Sequence, residues 1–301
     1  MKNSIKKMER EIFRPYGKKI LIMIAAVMLT ACSNEDEAIE LPTEGLPMMV
    51  EVSETPMTDA DTGQPVNAPT RGDVITIDNL SSFGMNYTES YHYDFSKTGE
   101  TWNTKTWPGS VAHETAIDFY AYTAGTFNWN SGSPYVSFSV EGTPTSQYDL
   151  LVAKTTTSYN SCNGIIPLSF KHACAAVLFN VQITNTLHTN KGDITVNSIE
   201  LKNVNSSGQY HYADNSWKSI CTSANYTLTN SAITVSTSSQ QLPCGHLFMI
   251  PQTLGENAKL VITYTFSGRT PTTAEISLNG KTWEAGKRYT YNIRLGTTLI
   301  K

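Results

Sequence analysis

Between Val74 and Leu295 the chain returns to one pattern: short runs of alternating apolar and polar residues, closed by turn residues. Tyr135-Val136-Ser137-Phe138-Ser139-Val140 shows it, as do the sets Val177/Phe179/Val181/Ile183 and Leu260/Ile262/Tyr264/Phe266. A period of two places successive side chains on opposite faces of a strand, whereas an amphipathic helix needs a period near 3.6. Abundant Thr and Tyr favour strands, and Asn, Ser and Gly favour the turns between them. No long amphipathic helix is visible after residue 31. The chain is all-β, and strands at this spacing predict a sandwich.

A chain of this length suits two domains of ordinary size, with one large β domain as the alternative. Val74–Ile77 and Phe83–Tyr87 are the expected opening strands. Tyr91–Phe95, a Trp102/Trp107 segment, Ala116–Tyr122, Tyr135–Val140 and Asp149–Ala153 complete a first half. The polar stretch from Lys154 to Gly164 then marks a boundary, placing one sandwich at 72–160 and a second at 161–301. In the second half, Ile166–Ala176 leads into the Val177–Ile183 alternation. Ile194–Val196, Ile199–Leu201, Tyr226–Leu228, Leu247–Pro251 and Leu260–Phe266 follow as short strands. Asn279-Gly280 is a strong hairpin signal, expected to join Ala274–Leu278 to a strand ending at Leu295.

The N-terminus is of a different kind. Seven Lys and Arg precede the apolar run Ile20–Leu29, which is about half the length needed to cross a bilayer. Leu29-Thr30-Ala31-Cys32 closes it with small residues before a cysteine, the order expected of a lipobox. Residues 1–31 therefore read as a lipoprotein signal peptide, and Cys32 as the residue that is lipidated, palmitate included. Residues 32–71 form a tether, with the acidic run Ser33-Asn34-Glu35-Asp36-Glu37 and prolines at 42, 47, 56, 65 and 69. Within it, only Met48–Val52 looks able to form a strand. Arg71 ends the tether in an exposed type of loop, where a protease can bind the extended backbone.

Charge and motifs exclude several functions. Without residues 1–31, which hold seven basic and two acidic residues, the 22 Lys/Arg and 26 Asp/Glu become 15 and 24, a net charge of about −9. No basic stripe remains, so nucleic acid is not an expected partner. Six histidines are scattered without ligand spacing, no C-x-x-C occurs, and no calcium loop is recognisable, so no metal or cofactor is expected. There is no G-x-S-x-G elbow and no phosphate-binding glycine loop. A carboxylate pair drawn from Glu114, Asp118 and Asp149 is the only opening left to a glycosidase, and the chain reads as non-enzymatic. Cys162, Cys174, Cys221 and Cys244 would lie in a compartment that permits disulfides, with three pairings open. Trp102, Trp107 and Trp129 either fill a core or form an aromatic glycan-binding face on a surface-anchored lipoprotein; core filling is favoured.

Five segments in order carry a resemblance. They are the lipobox, Ile117-Asp118-Phe119-Tyr120-Ala121-Tyr122, Tyr148-Asp149-Leu150-Leu151-Val152-Ala153, Pro167-Leu168-Ser169-Phe170-Lys171-His172-Ala173, and Trp283 through Ile293. Together they resemble the fimbrillin-like, type V pilin family, across essentially the whole chain after Cys32. The resemblance implies an outer-membrane lipoprotein of two tandem Greek-key, transthyretin-like sandwiches. It implies that an arginine-specific protease cuts between Arg71 and Gly72, removing the strand near Met48–Val52. A strand from another fimbrial subunit would fill the groove, and the resulting fimbria would adhere to a host protein or glycan. Many polymerising members continue past the last core strand with an apolar donor strand. Here Gly296–Lys301 barely extends beyond Leu295, which implies a tip or accessory role.

Overall fold

The architecture is that of a computed structural model describing residues 45–66, 79–84, 91–109, 111–129, 133–229, 231–266 and 269–296. The proline-rich stretch already holds two strands, β1 (Pro47–Glu54) and β2 (Thr58–Asp59). Next come β3 (Asn79–Gly84), β4 (Tyr91–Thr98), β5 (Thr101–Trp102), β6 (Lys105–Thr106) and β7 (Ile117–Tyr122). They are followed by β8 (Thr126–Asn128), β9 (Tyr135–Ser139), β10 (Leu151–Thr157), β11 (Ile165–His172) and β12 (Ala175–Ile183). The chain continues through β13 (Ile194–His211), β14 (Ser216–Thr229), β15 (Ile233–Val235), β16 (Gln240–Gln241) and β17 (Leu247–Met249). It ends with β18 (Gln252–Thr253), β19 (Lys259–Phe266), β20 (Thr272–Ser277), β21 (Thr282–Trp283) and β22 (Lys287–Leu295). Two short helices, α1 (Tyr159–Cys162) and α2 (Asn185–Lys191), are each started by a hydroxyl cap, Ser158 and Thr184.

The fold is all-β. One sheet runs β5-β4-β3-β7-β10-β11-β1-β6, a second β16-β12-β22-β2 with β17 also on β12, and a third β20-β19-β13-β9-β8 with β14 and β15 also on β13. Neighbours are mostly antiparallel, but β1 on β11, β12 on β22 and β2 on β22 run parallel. Alternation explains most of this. On β11, Ile166, Leu168, Phe170 and His172 point inward, while β12 is apolar along nearly its whole length and lies deep. Two apolar clusters result. The larger gathers Phe179, Val196, Tyr226, Phe248 and Trp283 with Tyr120 and Val136; the smaller gathers Phe95, Trp107, Phe119, Ile166 and Phe170.

Two expectations from local pattern change. Ile194–Val196 and Ile199–Leu201 are not separate strands but parts of the single long strand β13. Its pairing with β14 slips between Ile199/Glu200, Leu201/Val204 and Ser207/Gln209, and Asn203 adopts φ 58°. These bulges absorb residues that read as a turn without ending the ladder. The final hairpin also does not form. A turn does lie at Asn279-Gly280, but β20 pairs with β19, β21 with β18, and β22 with β12. Gly280 N donates to Leu254 O and Leu254 N to Lys281 O, so the turn docks on a neighbouring loop and sends the chain to another sheet. That crossing carries Trp283 and Ile293 into the larger core. The expected strand at Val74–Ile77 lies outside the described residues.

Candidate functional site

The segment from Gly45 to Val66 is an ordered part of the sheets. Met48 and Val50 turn into the smaller cluster, and residues Met49 to Glu54 pair in parallel with Ile165 to Phe170. The other edge of β1 meets β6 only at Pro47 and Met48, so among the described residues no strand covers it from Met49 onward. Gly164 marks where β1 enters. Its φ is +77°, and a Cβ there would stand 2.7 Å from Pro47 O, so only glycine lets the two backbones approach. Met57 then drops into the larger cluster, and β2 adds to β22 through Thr58 N to Gly286 O and Ala60 N to Arg288 O. Arg288 Nη2 meets Asp59 Oδ2 at 3.1 Å, and Lys287 Nζ donates to Thr58 Oγ1 at 2.9 Å. One short segment is thus held on two sheets by main-chain bonds, by apolar side chains that include Met48, Val50 and Met57, and by polar contacts.

A buried charge cluster closes the end of β1. His172 Nδ1 lies 2.5 Å from Asp149 Oδ2, and Nε2 lies 2.9 Å from Glu54 Oε1, a charge contact rather than an aligned hydrogen bond. The His172 and Asp149 side chains are 1% and 0% exposed, and that of Glu54 29%. Asp149 Oδ1 also accepts from Cys174 N at 3.2 Å, across the break between β11 and β12. Burial alone pulls the imidazole pKa down, but the hydrogen bond to Asp149 and the nearby Asp149 and Glu54 carboxylates outweigh it and raise the pKa to about 9. Burial pushes the Asp149 carboxyl up, with the imidazolium and the Cys174 N–H opposing it.

The folded value for His172 exceeds its ordinary 6.5, so its contribution to stability is fully present below that pH and is lost as pH rises through about 9. Urea titrations across this window are expected to show a falling midpoint in the native protein. The part of that slope due to His172 is expected to vanish in His172→Gln, and an unchanged slope would mean the imidazole is not charged in the fold.

The residues singled out from sequence are dispersed. Cys32, Arg71 and Gly72 lie outside the described residues. Trp107 is 2% exposed and packs on Phe119 and Tyr159 at centroid distances of 5.7 and 5.5 Å. Trp102 is half-buried on the same cluster, and Trp129 is 44% exposed beside Tyr120. The three tryptophans therefore form no shared exposed face. Asp149 is sealed against His172, Asp118 accepts from Tyr120 and Thr156 hydroxyls, and Glu114 stands in solvent. No disulfide joins Cys162, Cys174, Cys221 and Cys244. Among the described residues no group of three His, Cys, Asp or Glu could hold a metal ion. Glu54 and His172 carry no motif of their own; the only signal was that His172 sits in the Pro167–Ala173 segment quoted above.

The fold has known counterparts. A fimbrial protein from Bacteroides vulgatus superposes with a TM-score of 0.56 at 16% identity, over 85% of this chain and 96% of that one. A provisionally named cell adhesion protein from Bacteroides ovatus gives 0.53 at 13% identity, over 85% and 95%. One from Parabacteroides distasonis gives 0.53 at 11% identity, over 84% and 88%. No curated protein matches the sequence. The profile of the fimbrillin-like family matches residues 58–301, from β2 through the last strand, and the chain belongs to that family.

Proposed function

We propose that this chain is a non-enzymatic fimbrial subunit, or a tip or accessory subunit, that serves adhesion at the cell surface. In this reading the lipid on Cys32 ties it to the outer membrane until an arginine-specific protease cuts between Arg71 and Gly72. The observation that carries the proposal is the seating of β1. It lies ahead of Arg71 and pairs on one side with β11 from Ile165 to Phe170; among the described residues its other edge is paired only at Pro47 and Met48. Taking it away opens a row of unpaired N–H and C=O groups and the apolar seats of Met48 and Val50. A strand from a neighbouring subunit would satisfy both at once. The dispersal of Trp102, Trp107 and Trp129 favours this reading over a tryptophan-lined glycan platform.

The test is mass analysis of the mature N-terminus, with an Arg71→Ala variant expressed beside the native chain. A start at Gly72 in the native protein is expected, with higher oligomers lost in the variant. A chain that still begins at lipidated Cys32 and stays monomeric with or without Arg71 would overturn the polymer reading.

A further inference from the structure

We propose that His172 and Asp149 select the strand this chain accepts: whatever takes the place of β1 must carry a carboxylate opposite Phe170, where Glu54 stands now. The proposal rests on the strand-replacement reading and adds to it a sequence requirement on the partner. Main-chain pairing with β11 is open to almost any extended sequence, and the seats of Met48 and Val50 accept most apolar side chains. Neither discriminates strongly. The imidazolium does. Its Nδ1 edge is closed off by Asp149, whose side chain is fully buried, and only Nε2 faces the β1 slot. While the slot stands empty, water can serve Nε2. Once a strand displaces that water, a positive N–H needs an acceptor again, and an ionised acceptor serves it best.

The surroundings have the same sign preference. Past Glu54 the segment Thr55-Pro56 forms part of the wall of a cavity of about 370 Å³ whose lining includes Lys171, His172 and Lys287. Lys171 Nζ is bound to Asn215 Oδ1, which stays when the N-terminal segment leaves, whereas Lys287 Nζ donates to Thr58 Oγ1, which leaves with it. A basic residue at the Glu54 position would face the His172 imidazolium, and an apolar one would leave Nε2 without a partner. The fitting strand has apolar residues at the Met48 and Val50 positions and an acid at the Glu54 position.

Two measurements test this. In the uncut, full-length chain, Glu54→Leu is expected to speed hydrogen exchange at the β1 amides by about ten-fold or more. Unchanged protection would overturn the proposal. In the second, full-length protein is cut after Arg71 and offered fluorescent peptides copying residues 45–59, with Glu, Gln, Leu or Lys at position 54. The Glu peptide is expected to bind about ten-fold or more tighter than the Leu peptide, with Lys weakest. In His172→Gln protein, checked for cooperative unfolding, Glu and Leu peptides should bind alike to within about two-fold. Equal binding to native protein, or a preference that survives loss of His172, overturns the proposal. If no peptide enters, the Glu version included, strand replacement itself fails. The partner requirement falls with it, and the hydrogen-exchange result then shows only that Glu54 anchors β1 within its own chain.

Discussion

Replacing Asp149 with alanine is expected to lower the unfolding free energy by about 3–5 kcal/mol, seen as an earlier urea midpoint at unchanged slope. The carboxylate is enclosed, faces His172 Nδ1 on one oxygen and accepts from Cys174 N on the other. Removing it leaves the buried Nδ1 side of the imidazolium, which keeps only Glu54 at Nε2, and a buried backbone donor without their acceptor, and each loss is costly. The imidazole can shed its proton, which limits the loss. Asp149→Asn, which still offers an oxygen but no charge, should fall between alanine and the native protein. A useful contrast is Asp214→Ala. Asp214 pairs with Lys218 at 2.8 Å on a half-exposed hairpin end, where solvent screens the pair, and its loss should leave the midpoint where it was. If Asp149→Ala behaves like Asp214→Ala, the cluster is not a buried charge pair in solution.

Why this cluster escaped a reading of the sequence is a matter of range. Ile117–Tyr122, Tyr135–Ser139 and Ala175–Ile183 announce themselves because alternation is local and the burial of one face demands it. β13 reads locally as short pieces because Asn203-Val204-Asn205-Ser206-Ser207-Gly208 carries turn chemistry, and only long-range pairing with β9 and β14 keeps it extended. Asn279-Gly280 made its turn, yet which strands flank a turn in space depends on where Trp283 can be buried. Met48–Val52 was legible as a strand; its partner was not, since nothing local ties Met49 to Ile165. The meeting of Glu54 with His172 follows from that register alone. Trp107 illustrates the converse: an aromatic residue in a polar, turn-rich segment filled the smaller core by contact with Phe119 and Tyr159.

Met48→Ala and Met57→Ala are each expected to weaken the docking of the N-terminal segment by about 2–5 kcal/mol, the cost of emptying a fully buried methionine site. Both side chains are 0% exposed, but they lie in different clusters, Met48 with Phe170 and Ile166, Met57 with Phe179 and Trp283. Sites that share no neighbours add, so the double variant should lose about the sum. The informative comparison is between local and global opening. Limited proteolysis within residues 45–66, and hydrogen exchange along β1 and β2, should accelerate in each single variant and most in the double. Cooperative unfolding of the remaining sheets should persist, because β7-β10-β11 and β12-β22 are paired without the segment. That separation is what a removable strand requires: held firmly enough by Met48, Met57, Glu54 and the Asp59–Arg288 pair to keep the slot filled, yet not needed for the rest to stay folded. If the double variant instead unfolds as a whole, the segment is a structural necessity. No mature subunit could then survive its loss, and strand replacement after cleavage near Arg71 would be ruled out for this chain.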